Sequence, residues 1–162
     1  MKNTPSLISL ARNARRMLAV ALLALVSLAA SAQDDLFDRY ANTQGVTTVC
    51  VSKAMLSLMP QVKAGGVDIA AIAQKLESVQ ILSCERPSLI AGIRQTATSI
   101  YSRDGYEEVM RMNEGGQTTL IYQKQLSGGM NEFALVTGES NELNIVNVKG
   151  HITLRDIQSI AQ

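Results

Sequence analysis

Residues 106–148, YEEVMRMNEGGQTTLIYQKQLSGGMNEFALVTGESNELNIVNV, decide the fold because their side chains alternate with a period of two. Leu120 and Tyr122 followed by Gln123 and Gln125 show the alternation of apolar and polar residues that is typical of a half-buried strand. Glycine pairs and the sequence GESNE separate four such runs. The turn Glu114-Gly-Gly-Gln117 favours a two-residue hairpin, since glycine accepts a positive φ. We therefore predict a four-strand antiparallel meander.

The residues before the meander combine helical and strand-like patterns. Strands are predicted at Val46–Val51 and Leu76–Cys84, where β-branched residues are frequent. Between them we predict a short helix that stops at Pro60 and a second helix over 68–76. Further helices are predicted at 34–42, from Pro87 onwards, and after Thr153, which can cap a helix. The helix that starts at Pro87 is expected to bury one stripe of side chains, which consists of Leu89, Ile93, Ala97 and Ile100.

This order of elements predicts an α+β domain. Early strands separated by helices, followed by a run of antiparallel strands, are typical of that class. We expect one mostly antiparallel sheet with the helices packed on one face. A ferredoxin-like variant is the nearest named architecture.

The first 32 residues have the pattern of a cleavable secretory signal peptide. They contain four basic residues and no acidic one, and residues 17–30 form an uncharged run. The run closes on Ala30-Ser31-Ala32, a small-x-small pattern, so cleavage is expected to leave Gln33 as the new N-terminus. It is shorter than the about 20 residues of a membrane span. We therefore expect only transient contact with the inner membrane, with an uncleaved anchor as the alternative.

The rest of the chain, residues 33–162, is predicted to be a single domain. The leader holds four of the 15 basic residues and none of the 14 acidic ones, so this domain carries a net charge of about −3. The lack of a basic stripe and the scarcity of aromatic residues argue against nucleic-acid binding. We expect the domain to work in the periplasm or in another exported location.

Cys50 and Cys84 are the two cysteines of the chain. In an oxidising compartment they could form a disulfide, provided that their Cα atoms lie within about 7 Å. Each lies in a predicted strand, so pairing requires these strands to be neighbours in register. Two buried, unpaired thiols are the alternative.

Other reactive side chains lack the partners that catalysis or metal binding would need. His151 is the only histidine, and its position between Gly150 and Thr153 predicts a surface loop rather than a ligand or a base. Glu107 and Glu108 are adjacent on a predicted strand and therefore point to opposite faces. Methionines that could suggest a copper site lie on predicted apolar stripes, so we expect them in the core; they are Met55, Met59, Met110, Met112 and Met130.

Phosphate-binding and triad motifs are also missing from the sequence. The glycine pairs at 65–66, 115–116 and 128–129 fit turns, because the Lys-Ser/Thr of a nucleotide loop does not follow them. A Gly-x-Ser-x-Gly motif is absent, and one histidine is too few for a typical triad to be expected. We expect no enzyme activity, no cofactor and no resident metal.

Four stretches carry a resemblance to a known family: LFDRYANTQGVTTVCVSKAML, GGVDIAAIAQKLESVQILSCE, GYEEVMRMNEGGQTTLIYQK and NVKGHITLRDIQSI. Together they span nearly all of residues 33–162. In them the chain resembles a family of small exported proteins from Bacteroides-like bacteria, domain of unknown function 4252. The resemblance implies an address in the cell envelope and one α+β domain after a leader. It implies no activity and no functional residue.

These observations favour a non-enzymatic periplasmic module that binds a protein or another envelope component. Edge strands of the predicted meander could accept a strand from such a partner. The alternative is a small-ligand or lipid carrier with a pocket between the sheet and its helices. An enzyme is the third and weakest hypothesis.

Overall fold

A computed structural model describes residues 34–58, 63–64, 67–68 and 72–160 of this chain. The predicted leader lies outside the described residues, and so does the cleavage site with Ala30, Ala32 and Gln33. The signal peptide therefore stays a prediction from the sequence. The glycine pair at 65–66 also lies outside the described residues.

Helices and strands alternate in the first half of the described chain, and strands follow one another in the second. The helices are α1 (Asp34–Tyr40), α2 (Lys53–Leu58), α3 (Pro87–Arg103) and α4 (Leu154–Ile160). The strands are β1 (Val46–Ser52), β2 (Lys63–Ala64), β3 (Val67–Asp68), β4 (Leu76–Cys84), β5 (Glu107–Glu114), β6 (Gln117–Gln125), β7 (Asn131–Gly138) and β8 (Leu143–Gly150). Short 3₁₀ turns cover Ala73–Lys75 and Ser127–Gly129.

Six strands form one antiparallel sheet in the order β1-β4-β8-β7-β6-β5, while β2 and β3 pair with each other. The predicted meander is present as β5–β8. Its first turn contains Gly115 and Gly116, whose φ angles are 59° and 92°. Two consecutive positive φ angles are what a two-residue hairpin turn of type I′ requires. The predicted α+β class and the mostly antiparallel sheet are confirmed.

Helix α3 carries the chain from β4, next to one edge of the sheet, to β5 at the other edge. It begins at Pro87, as predicted, because proline has the φ of a first helical turn and no N–H to leave unpaired. Its buried side chains pack against alternate residues of the sheet and against α1 in one core cluster; those of α3 are Ile90, Ile93, Ala97, Ile100 and Tyr101. Most of the predicted stripe is therefore confirmed.

The opposite face of the sheet is covered as well. In β7, Ala134 belongs to the α3 cluster whereas its neighbour Phe133 belongs to a second cluster, because successive strand residues point to opposite faces. The second cluster receives Leu56 from α2 and Ile157 from α4. The helices thus contact both faces instead of the single face expected from the sequence. The reason is that β7 and β8 carry apolar side chains on both faces and require cover on both.

The connections also differ from a ferredoxin-like order. That order, β-α-β-β-α-β, places a helix before the last strand. Here β7 and β8 pair in register and are joined by the turn at 139–142 without a helix. The long helical crossover β4–α3–β5 therefore leads into a meander rather than into a second crossover.

Two local predictions are wrong. The helix predicted over 68–76 is wrong at both ends, because Asp68, its expected cap, pairs with Lys63 in β2–β3, and the 3₁₀ turn Ala73–Lys75 leads directly into β4 at Leu76. Residues 69–71 lie outside the described residues. The expectation of buried methionines fails for Met55 and Met112, which are 48% and 39% exposed. In α2 the buried position belongs to Leu56 instead.

Helix α4 begins at a reciprocal capping arrangement, as the Thr153 cap predicted. The Thr153 N–H and hydroxyl each donate to Asp156 Oδ2 at 2.8 Å, and the Asp156 N–H donates to Thr153 Oγ1 at 3.3 Å. This pattern satisfies backbone donors that the first turn of a helix leaves unpaired. Lys75 Nζ donates to the second carboxylate oxygen of Asp156 at 2.7 Å, which links α4 to the segment before β4.

Gly150 at the end of β8 should tolerate no side chain. A Cβ there would overlap the Lys75 carbonyl oxygen and lie 2.8 Å from Leu76 Cα, both backbone atoms that cannot rotate away. We expect Gly150→Ala to lower the free energy of unfolding by more than about 2 kcal/mol in urea titrations. Gly92→Ala is the matched control, because Gly92 is helical with no atom near its Cβ, and it should be neutral or stabilising. Equal stability of the two variants would contradict this packing.

The Asp156 carboxylate should make stability sensitive to acid. Its hydrogen bonds from Lys75 and Thr153 lower its pKa from 3.8 to about 2. Because the folded pKa is the lower one, the contribution is present above about pH 4 and is lost as the pH falls towards 2. In chemical denaturation, we expect the Asp156→Asn variant to be less stable than the unsubstituted protein at neutral pH. Between about pH 4 and about pH 2 it should lose less stability than the unsubstituted protein. A variant with an unchanged acid profile would count against this role.

Candidate functional site

A row of polar side chains crosses the α3 face of the sheet at one end. The register places Ser52 of β1 opposite Ser78, Ser78 opposite Lys149, Lys149 opposite Glu132, and Glu132 opposite Lys124. Directly opposed residues have Cβ atoms about 4.5–5.5 Å apart. The row therefore runs through five strands, with one carboxylate between two lysines.

A groove of about 360 Å³ lies on this end of the sheet. Its outer wall belongs to β1, and its lining combines polar groups with carbon surface that includes Val51 and Val79; the other lining residues are Cys50, Ser52, Ser78, Gln80, Glu132 and Lys149. The apolar rows that follow along the strands, such as the one through Leu82 and Ile145, belong to the α3 cluster. The groove thus lies where the polar row continues beyond the helix-covered core.

Three tyrosines border the buried end of the polar row. The rings of Tyr101 and Tyr106 meet edge to face with centroids 5.0 Å apart, and Tyr101 stacks on Tyr122 at 5.2 Å. The Tyr101 hydroxyl donates to Asn147 Oδ1 at 2.7 Å inside the core. Burial raises the pKa of Tyr101, so its hydroxyl stays protonated and serves as a hydrogen-bond donor.

Glu132 is the charged residue that the fold buries in this region, with 5% exposure. Its carboxylate lies beside Tyr106, whose pKa is raised first by burial and then by the charge of Glu132. Lys124 Nζ lies 5.3 Å from the centre of the Tyr106 ring, within cation–π range. This arrangement holds charges and hydrogen-bond donors in fixed positions. It leaves neither tyrosine ready to act as a base at neutral pH.

The two edge strands of the sheet differ in their protection against pairing. Strand β5 carries Glu107, Glu108, Arg111 and Glu114, and its register shifts between Glu108 and Met110. Charges and bulges on an edge oppose the addition of another strand. Strand β1, VTTVCVS, contains no charge and no proline and pairs with β4 over all seven residues without a shift. Among the described residues, β1 is therefore the less protected edge.

Exposed apolar side chains accumulate next to this edge. Four large ones are strongly exposed within the described ranges, and three belong to β1 or to α2, which follows it directly. These are Val49 at 42%, Met55 and, at 76%, Leu58. We call β1 together with the exposed side chains of α2 the β1 surface.

Cys50 and Cys84 do not form the disulfide that the sequence left open. Strands β1 and β4 are neighbours, but Cys50 lies opposite Gln80 and Cys84 lies opposite Val46. Four residues of offset correspond to about 13 Å along a strand, beyond the about 7 Å that a disulfide can span. Both thiols are free; Cys84 is buried, as the alternative expected, whereas Cys50 is exposed.

The other sequence predictions for reactive residues can be placed as well. His151 is exposed, as predicted, in the bend between β8 and α4. Glu108 forms an ion pair with Arg111 at 2.6 Å on the β5 edge. The described residues contain no cluster of three potential metal ligands, and none of the described helices has the length and apolar character of a membrane span.

The buried polar group around Glu132 was missed from the sequence. Glu132 precedes the apolar run FALV, and no role was predicted for it from the sequence. Strand alternation could have indicated it, because residues 132, 134 and 136 share one face and that face is buried. The partners Tyr101 and Asn147 are 46 residues apart, so only the fold brings them together.

Comparison with protein families gives one match, which covers residues 40–160 and is described as domain of unknown function, DUF4252. The chain belongs to the DUF4252 family. The family resemblance predicted from the sequence is thereby confirmed, while the Bacteroides-like source stays a prediction. No curated protein matches this DUF4252 chain.

A solved structure shows a weak likeness to this DUF4252 protein. It is the protein of unknown function PA94 from Pseudomonas aeruginosa, which is 12% identical over 73% of this chain and 76% of its own. The TM-score is 0.36, a value too low to carry an argument on fold or function.

The Tyr101–Asn147 bond should be important for stability. Asn147 is 2% exposed, and its Nδ2 has no partner within the described structure, so loss of the Tyr101 donor would leave the amide with both ends unpaired. We expect Tyr101→Phe to lower the free energy of unfolding by about 1–3 kcal/mol in urea titrations. Tyr40→Phe, which removes a longer and less buried bond of 3.3 Å to Thr96, is the control and should cost less. The reverse order of the two variants would contradict this assignment.

Proposed function

We propose that this chain is an exported, non-enzymatic module that binds a protein of the cell envelope by adding a strand of that protein to β1. The observation that carries the proposal is the contrast between the sheet edges. One edge is charged and bulged, and the other is uncharged, regular and seven residues long. An added strand would use the outward backbone groups of β1 for hydrogen bonds, while side-chain contacts would provide specificity.

The export part of the proposal rests on the leader pattern in residues 1–32. A periplasmic location is compatible with the free Cys50, since this exposed thiol has no disulfide partner within the described fold. The binding part is supported by the exposed apolar side chains of the β1 surface, whose contact with water is unfavourable. A partner that covered Val49 and Leu58 would remove this cost.

A small-ligand carrier is the second candidate, and the groove of about 360 Å³ is the observation that favours it. Its hydroxyl, amide and charged groups would bind the polar part of such a ligand, next to the carbon surface of Val51 and Val79. Within the described residues, the spaces between the sheet and its helices are occupied by the two apolar clusters, so the carrier would use this groove rather than the pocket expected there.

The proposal can be tested with a photo-crosslinking amino acid placed in the full chain in its native cells. Substitution at Val49 should trap a protein in the envelope fraction, and the trapped chain should start at Gln33. Substitution at Met112, an apolar residue of similar exposure on the protected edge β5, is the matched control and should trap little. An intact Met1 terminus in the cytosol would overturn the export, and equal trapping at both positions, or none, would overturn binding through β1.

A further inference from the structure

We propose that the strand added to β1 is β1 of a second copy of this chain, antiparallel and centred on Val49, so that the two sheets become continuous across a two-fold axis. This inference rests on the proposed function, because it names the partner of the same edge. It is argued from charge, from register and from the position of the exposed apolar side chains.

Charge selects β1 as the edge that can pair with itself. A two-fold axis pairs the same edge of both copies, so a charged edge meets its own charges. Self-pairing of β5 would bring Glu107, Glu108 and Glu114 towards the glutamates of the second copy, and like charges opposite each other are destabilising. Strand β1 has no charged residue from Val46 to Ser52, so its self-pairing carries no such penalty.

The length of β1 favours one register. Val49 is the middle residue of Val46–Ser52. When the strand pair is centred on it, every residue of β1 lies opposite a β1 residue of the second copy. Val49 then faces Val49 of the second copy, and Cys50 faces Thr48 of the second copy. Valine is a β-branched residue that strands favour, so the Val49 pair suits the centre of an antiparallel strand pair. Any other register leaves the ends of both strands without partners.

The exposed apolar side chains lie next to the paired edge, on one side of the sheet. Val51 and Leu56 both contribute to the second core cluster, so α2 packs on the face to which Val51, and by alternation Val49, points. The exposed Met55 and Leu58 therefore flank the Val49 pair on the same side of the sheet. Because the two-fold axis is perpendicular to the sheet, this face of both copies lies on the same side of the continuous sheet. The apolar side chains of the two copies therefore bury each other at the axis.

The expected association is weak and depends on concentration. One strand pair with a few flanking side chains buries less than the about 1,200 Å² of a standard interface. Light scattering of the protein purified from cells, measured from about 5 µM to 1 mM, should show a monomer that converts to a dimer. Sedimentation equilibrium over the same range gives the dissociation constant.

Two matched substitutions separate this edge from the other. Val49→Lys places two lysines against each other at the axis and should weaken the dimer at least tenfold. Met112→Lys makes the same change on β5 and should leave the dissociation constant unchanged. Circular dichroism and urea unfolding of both variants establish that each is folded. A dimer that survives Val49→Lys, or is broken equally by Met112→Lys, would overturn the inference.

The register is tested by a new thiol opposite Cys50 of the second copy. In Thr48→Cys, oxidised glutathione accepts two electrons and two protons from the opposed thiols, which form a disulfide between copies while two glutathione molecules are released. A covalent dimer should appear on a non-reducing gel. The double variant Thr48→Cys with Cys50→Ser lacks the opposite thiol and should stay monomeric on the gel. Crosslinking of both variants to the same extent would overturn the Val49 register.

The two proposals can fail separately. If the protein stays monomeric up to about 1 mM and the Val49 photo-crosslink contains a different protein, the second-copy inference is wrong and strand addition at β1 stands. If the Val49 photo-crosslink contains the same chain, both proposals are supported. If it contains no protein at all, the proposed function fails together with the inference.

Discussion

The pairing of β4 with β8 is the interaction on which the rest of the structure depends. Strand β4 comes from the first half of the chain and β8 from the end of the meander, and their register runs from Leu76–Gly150 to Cys84–Leu143. Without it, the sheet would separate into the β1–β4 pair and the meander β5–β8. The close approach of Gly150 to Leu76 at one end shows how tightly the two parts meet. Both core clusters and the polar row extend across this junction.

The local parts of this fold could be predicted from sequence because their signals are local. The glycine pair at 115–116 fixes a hairpin, Pro87 marks a helix start, and Thr153 caps α4 through the nearby Asp156. The α+β class followed from the order of such elements. Helices on both faces did not follow, because the two-sided burial of β7 becomes visible only when its neighbours are known.

The candidate site was less accessible to sequence reasoning. Its polar row depends on registers between strands that are up to 97 residues apart in the chain, from Ser52 through Lys149. Cys50 and Cys84 illustrate the same limit, since the two strands were predicted and their register was not. The helix predicted at 68–76 is wrong at its start, because Asp68 pairs with Lys63 in β2–β3 instead of capping a helix. In each case a long-range or competing contact decided the outcome.

The position of β8 in the chain has a consequence for how the protein acquires its structure. Hairpins of the meander join neighbours and can form early, whereas β4 must wait for a strand that begins 59 residues after it ends, at Leu143. During synthesis, β4 and β7 each keep an unpaired side until Leu143–Gly150 have left the ribosome. A product that stops before Leu143 would thus carry additional unpaired strand edges and should be directed to aggregation or degradation.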